Sequence, residues 1–331
     1  MFLNPAIMAL LACEILSFLV LLVACLLGVK IALGWDVTST SSRQLDRERR
    51  ASLVSMAVGY AMAFQVLSLF LFVEAADRMH PLFTGAMCAA GTLHSNPFGY
   101  PALLVKVAAV LLCGTWLILN HVDSQSPHYP LLRIKFFLLP PTVLAAGTGG
   151  VLFCRYAAGL DPQIITSCCS VLFDGESTIL GDQLPRLGSL RAQIVFFALL
   201  AWTLGAGRVF LKTRSGAVLY GVASLVMFCI SMAAVLSFIS PCYYQLPTHH
   251  CPFCILQPQY NRAGYLLYAA IFSGGIFGVG TGVLSLVTGN QSINAQTIQG
   301  RLCAVSMAAF AVVAAMAAWP LFFSDFRMGG Y

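Results

Sequence analysis

The chain has 331 residues, 59% of them hydrophobic and only 9% charged, with a mean hydropathy of +0.84 and a formal net charge of +6. Soluble domains carry about a quarter charged residues, so a water-soluble globule is excluded and the solvent of this chain is lipid. Its 18 basic and 12 acidic residues are few enough to be placed one at a time.

Apolar runs long enough to cross hydrocarbon as helices occur in order at 5–33, 52–76, 101–121, 134–157, 191–210, 216–239, 263–287 and 302–323. Backbone polar groups in lipid must be satisfied within the segment, and none of the runs alternates as a membrane strand does. The expected fold is all-α, a polytopic membrane helical bundle of about eight transmembrane helices. The first 29 residues hold no Lys or Arg, so they lack the basic region of a cleavable signal peptide, and the first span is expected to remain in the protein. That span carries Glu14, roughly 15 Å deep at 1.5 Å per residue. An intramembrane carboxylate is a functional candidate, as a proton relay or as the partner of a buried cation.

The second span ends near Glu74 and the third bears Lys106 about one turn in. At similar depth these two are expected to pair; alternatively Lys106 orients a quinone carbonyl or an anionic substrate. The fourth span contains Pro140-Pro141, which should kink it. The seventh carries Gly274, Gly278 and Gly282 at four-residue spacing, and the eighth is alanine-rich from Ala304 to Ala318. Small residues let helices approach closely, so these two are expected to pack on each other or on another membrane subunit.

The connections after the odd spans hold Arg43, Arg47, Arg49, Arg50, Arg133, Lys135, Arg208, Lys212, Arg214 and Arg301, and the longer even ones hold fewer basic residues. The positive-inside rule makes the odd connections cytoplasmic. Both termini are then expected on the periplasmic side of a bacterial inner membrane. The positive charge is this topological excess. No Walker A pattern, dinucleotide fingerprint or basic aromatic-interleaved tail is found, so nucleotide and nucleic-acid chemistry have no support.

Gly85-Ala-Met-Cys88 is followed eleven residues later by Gly99-Tyr100, and Cys251-Pro-Phe-Cys254 ten residues later by Gly264-Tyr265. Each lies after the second helix of a group of four, which reads as a 4+4 internal repeat with both halves in the same orientation. The expected organisation is a first four-helix unit at 1–158, an outer loop at 159–190 and a second four-helix unit at 191–331. In that repeat the two cysteine loops meet on the outer face.

Of twelve cysteines, Cys13, Cys25, Cys113, Cys154, Cys229 and Cys303 fall within apolar spans, where a thiol acts as a small hydrophobe. Cys88, Cys168, Cys169, Cys242, Cys251 and Cys254 fall in the three outer connections, where an oxidising compartment allows disulfides in any of fifteen pairings. A C-x-x-C pair at a helix start suits redox work, because helix amides stabilise the first thiolate and the spacing permits reversible closure. Cys251 is the expected exposed nucleophile and Cys254 its resolving partner; His249 and His250, if protonated, would lower the thiol pKa further. The vicinal pair Cys168-Cys169 is a candidate shuttle to them, or a source of ordinary loop disulfides. The same set also suits a soft metal, copper or zinc, with Cys88, His249, His250, Cys251 and Cys254 as donors. Ile255 follows Cys254, so covalent c-type haem attachment is not supported.

The stretch Cys251-Pro-Phe-Cys-Ile-Leu-Gln257 resembles the C-x-x-C of the DsbB and vitamin K epoxide reductase families, membrane oxidoreductases that pass electrons from an outer cysteine pair to a quinone. The match covers about ten residues. It implies that Cys251 and Cys254 face the quinone and that Arg262 or Gln257 borders it, with a periplasmic thioredoxin-like protein as the thiol partner. The chain departs from those families in having eight helices, Gly85 in its first half where its second has Cys251, and no basic residue directly after the C-x-x-C. The functional expectation is a membrane thiol–disulfide electron-transfer protein, quinone-linked. The alternatives are a metal or metallo-cofactor handling protein and a structural subunit of a larger complex.

Overall fold

The computed structural model describes residues 5–35, 41–125, 129–161, 163–166, 189–246, 249–288 and 293–323. Among them the regular elements are helical: α1 (Pro5–Leu33), α2 (Ser42–Arg78), α3 (Ala89–His94), α4 (Gly99–Ser124), α5 (Leu132–Phe137), α6 (Leu139–Ala158), α7 (Ser189–Thr213), α8 (Ala217–Ala234), α9 (Ser240–Tyr244), α10 (Ala263–Thr288) and α11 (Ile293–Phe323). Eight helical runs are long and apolar enough to cross a membrane, one for each apolar run of the sequence. The protein is thus a polytopic helical membrane bundle.

The ends differ for identifiable reasons. The second span starts at Ser42 rather than 52, because the polar stretch before the apolar run continues the helix. There Ser41 Oγ accepts from the Gln44 amide, and Arg50 pairs with Asp46 at 2.8 Å across one turn. The fourth span breaks at Leu138 into α5 and α6, with the two prolines in the first turn of α6, where a missing N–H costs nothing. The sixth span carries α8 through a π-helical turn at Val235–Ile239 into α9. This run therefore ends at Tyr244 and takes in Cys242, which was expected in an outer connection and instead lies buried in the last turn.

Outward faces are apolar: Leu16, Val23, Leu26, Leu53, Leu144 and Leu286 are each more than half exposed, the arrangement lipid requires. With lipid as apolar as leucine, helix association rests on close packing and internal polar contacts rather than on expulsion of water.

The chain divides into two compact units. The first takes the chain to Ala75 and from Asn96 to Asp161; α4 lies along α6 and α6 along α1. Its core holds Trp116, whose Nε1 donates to the Lys135 carbonyl at 2.9 Å, and Phe72, which meets Phe153 and Tyr156 edge to face. The second unit includes Ala76–Ser95 and Pro162–Leu286, so the connection carrying Cys88 clusters with the later helices. In it a Cβ on Gly221 would stand 2.8 Å from Gly282 Cα, and one on Gly278 2.3 Å from the Ser224 side chain. Gly274 sits under Phe310, and its carbonyl accepts from Ser306 Oγ at 2.7 Å. The glycine stripe of α10 is therefore filled within the chain, by α8 on one side and α11 on the other.

Candidate functional site

Three sulfurs converge in the second unit. Cys88, Cys251 and Cys254 have their Sγ atoms within 4.8 Å of one another, and all three residues are buried. The Cys88 and Cys251 sulfurs are 3.3 Å apart. The two cysteine connections thus meet, and the association brings Cys88 into the site as a full member. His249 Nε2 lies 3.4 Å from Cys254 Sγ, outside the mutual group of three.

Each loop is held from several directions. Tyr244 OH, at the end of α9, donates to the Cys251 carbonyl at 2.7 Å, and Tyr268 OH, on α10, to the Pro252 carbonyl at 2.6 Å. Two phenols on different helices thus fix the backbone of the C-x-x-C turn. Gln257 ties this turn to the other loop: its Nε2 donates to the Met87 carbonyl at 3.0 Å and to Asp77 Oδ1 at 3.4 Å. Asp77 Oδ1 also accepts from the Ala89 amide at 3.0 Å, so this carboxylate on α2 holds one side of Cys88 directly and the other through Gln257. Gly85 completes the loop with φ of +88°. A Cβ there would come 2.2 Å from the Thr166 carbonyl oxygen. Position 85 is thereby closed to any side chain.

His250 is set by the π turn. In that register Ser240 N donates to the Val235 carbonyl, so the next carbonyl, Leu236, faces residue 241, a proline with no N–H. His250 Nδ1 takes the place of that donor at 2.8 Å. Because a carbonyl only accepts, Nδ1 carries a proton. The His249 ring stacks edge to face on Tyr244 at 4.8 Å. Burial pushes His249 below the ordinary histidine range, Cys88 opposing and His250 adding to the shift. That shift favours the neutral imidazole, a metal ligand and hydrogen-bond partner, over the cation that would acidify the thiols.

Other expectations change as well. Cys251 is fully buried rather than exposed. The C-x-x-C does not open a membrane helix: Cys254 begins a 3₁₀ turn, Cys254–Leu256, and α10 starts only at Ala263. Arg262 is exposed, with positive φ, its amide donating to the Gln257 carbonyl. Cys168 and Cys169 lie outside the described residues. Lys106 and Glu14 belong to the first unit, and the ion pair shown for Lys106 is with Glu14 at 2.5 Å rather than with Glu74. Gln65 donates to Glu14 Oε2 and Ser17 Oγ, and Lys106 also reaches Ser68 Oγ at 3.2 Å. The intramembrane carboxylate is thus the partner of a buried cation, within a satisfied polar network.

Reading by spacing missed Asp77, Tyr244 and Tyr268, and for the tyrosines no signal distinguishes them from other aromatics of the spans. Pro241 near the end of an apolar run was a usable signal for the π turn.

The fold and site together define an integral membrane protein with a buried three-cysteine cluster at the end of a helical unit. Compared with protein-family models, curated proteins and solved structures, the chain matches none of them.

Proposed function

We propose that this is an integral membrane metal-binding protein whose centre is formed by Cys88, Cys251 and Cys254, with His249 as fourth ligand, and that it takes a thiophilic ion, Zn²⁺ first. The observation that carries this is the convergence of three buried sulfurs within 4.8 Å. Thiolates about 2.3 Å from a tetrahedral zinc stand about 3.8 Å apart, so the group needs only small adjustment. Burial also favours this reading over exchange with a soluble partner, since a nucleophile that attacks another protein must be reached by it. Charge decides between ions: three thiolates leave a net −1 around Zn²⁺ and −2 around Cu⁺, and a poorly solvated site favours the smaller charge. Four protein ligands leave no open position for water, which suits capture and holding rather than hydrolysis. On the orientation set by the basic residues, the centre faces the periplasm.

A second reading, thiol–disulfide electron transfer, is favoured by one distance. Cys88 and Cys251 at 3.3 Å are closer than zinc-bound thiolates usually lie. In that reading Cys88 and Cys251 close into a disulfide, losing two protons and two electrons to a quinone or a partner disulfide, and Cys254 resolves it.

Competitive titration of the reduced, purified protein with Zn²⁺ and Cu⁺ tests the proposal. Cys88→Ser and Cys254→Ser should each weaken Zn²⁺ binding by two or more orders of magnitude, with Cys13→Ser unchanged; equal affinity in all variants would refute it. Trapping of a mixed disulfide on Cys88 in a Cys251→Ser, Cys254→Ser background, with no metal bound by the parent, would support electron transfer instead.

A further inference from the structure

The first unit holds an open cavity of about 260 Å³ with a mixed polar and apolar lining. Glu48, Ser52 and Ser55, one face of α2 at i, i+4 and i+7, form one wall; Asn120, Tyr129 and Lys135 line the other side. Lys135 is almost wholly buried. Its ammonium meets Asp123 Oδ2 at 2.7 Å and Asn120 Oδ1 at 3.1 Å, which leaves its third N–H for a further acceptor. Asn120 spends its carbonyl on Lys135, so its amide N–H groups remain as donors. The Ser55 hydroxyl is buried and has no hydrogen-bond partner among the described residues. Leaving a buried hydroxyl without a partner is costly and marks a place where an acceptor belongs.

The chemistry of the wall is asymmetric. Its buried side offers donors from Lys135, Ser55 and Asn120, and Asp123 already balances the lysine charge. Its remaining charged group is the half-buried Glu48 carboxylate. The cavity also lies at the membrane boundary: α2 passes there from its charged start into its apolar run, α4 ends at Ser124, and Met56 beside the cavity faces outward.

We propose that this cavity binds a zwitterionic phosphate-bearing headgroup, the phosphate accepting from Lys135, Ser55 and Asn120 and the ammonium meeting Glu48, and that its source is phosphatidylethanolamine of the leaflet on the side of Arg43–Arg50. The site is independent of the cysteine centre. Native mass spectrometry of the full-length protein tests it, with titration by phosphatidylethanolamine, phosphatidylglycerol, soluble phosphoethanolamine and inorganic phosphate. Phosphatidylethanolamine should bind most tightly, and Ser55→Ala should weaken it about tenfold, the loss expected for one hydrogen bond to a charged group. Glu48→Gln should remove the preference over phosphatidylglycerol while retaining phosphate-bearing lipid. Ser55→Leu, which fills the cavity, should abolish binding with the thermal midpoint of the protein retained. Equal binding of both lipids by the parent, or unchanged binding in Ser55→Ala and Ser55→Leu, would overturn the site. Binding of the soluble headgroup as tight as that of the lipid would overturn the membrane as its source.

Discussion

At the scale of single residues, the cysteine centre depends on groups that carry no sulfur. Gln257 and Asp77 join the two loops, so their loss should loosen the ligand set without removing a ligand. Outer-shell partners of a metal site are typically worth 10–100-fold in affinity. Gln257→Leu is expected to weaken Zn²⁺ binding by about that factor with stoichiometry unchanged, measured by competition with a chromophoric chelator. Gly85 is a second such position. Gly85→Ala meets both a positive φ and the Thr166 carbonyl, and backbone strain of that kind costs of order 1–3 kcal/mol. The variant should lower metal affinity through displacement of Cys88, and Cys88 in the metal-free protein should react faster with maleimide. The candidate ligands were legible in the sequence because Cys and His in outer connections are few. The bracing by Asp77 was not, since an acidic residue at a helix end ordinarily faces solvent and Cys88 lies eleven positions further along the chain.

At the scale of elements, the spans could be read almost to their ends, because lipid permits one solution for backbone polar groups. What the apolar pattern could not reveal is how the ends are finished. The charged start of α2 continues as helix, and Pro241 converts the end of the sixth span into a π turn whose freed carbonyl holds His250. The tight crossing of α8 and α10 follows from the glycine stripe, although its partner at Gly221 carries no such stripe of its own. Gly278→Ala would press a methyl group onto Ser224. Overpacking typically costs 1–3 kcal/mol, so the thermal midpoint in detergent should fall by several degrees, while Gly205→Ala, which meets nothing within 4 Å, should leave it unchanged.

At the scale of the whole molecule, the few charges inside the apolar spans are paired where the described residues bury them. Lys106 with Glu14 and Lys135 with Asp123 are two such pairs. Removing one member leaves an uncompensated charge, typically at a cost of about 3–5 kcal/mol, whereas removing both is far milder. Lys106→Met should therefore lower the yield of folded protein and its thermal midpoint sharply, and Glu14→Leu with Lys106→Met should recover most of the loss. The charge pattern placed Glu14 about 15 Å into its span and Lys106 level with Glu74, about one turn into its own. The ion pair of Lys106 with Glu14 puts those two at one depth instead, because the packing of the helices, which residue counting along each span does not contain, sets which groups meet.

The central claim is that Cys88, Cys251, Cys254 and His249 hold one metal ion. It is tested most directly by elemental analysis of the protein purified from membranes under mild conditions without added metal, combined with mass-spectrometric mapping of its cysteines. About one zinc per chain, lost in Cys254→Ser, with Cys88 and Cys251 both recovered as thiols, is the predicted result. Metal-free protein in which Cys88 and Cys251 are recovered joined as a disulfide would contradict it.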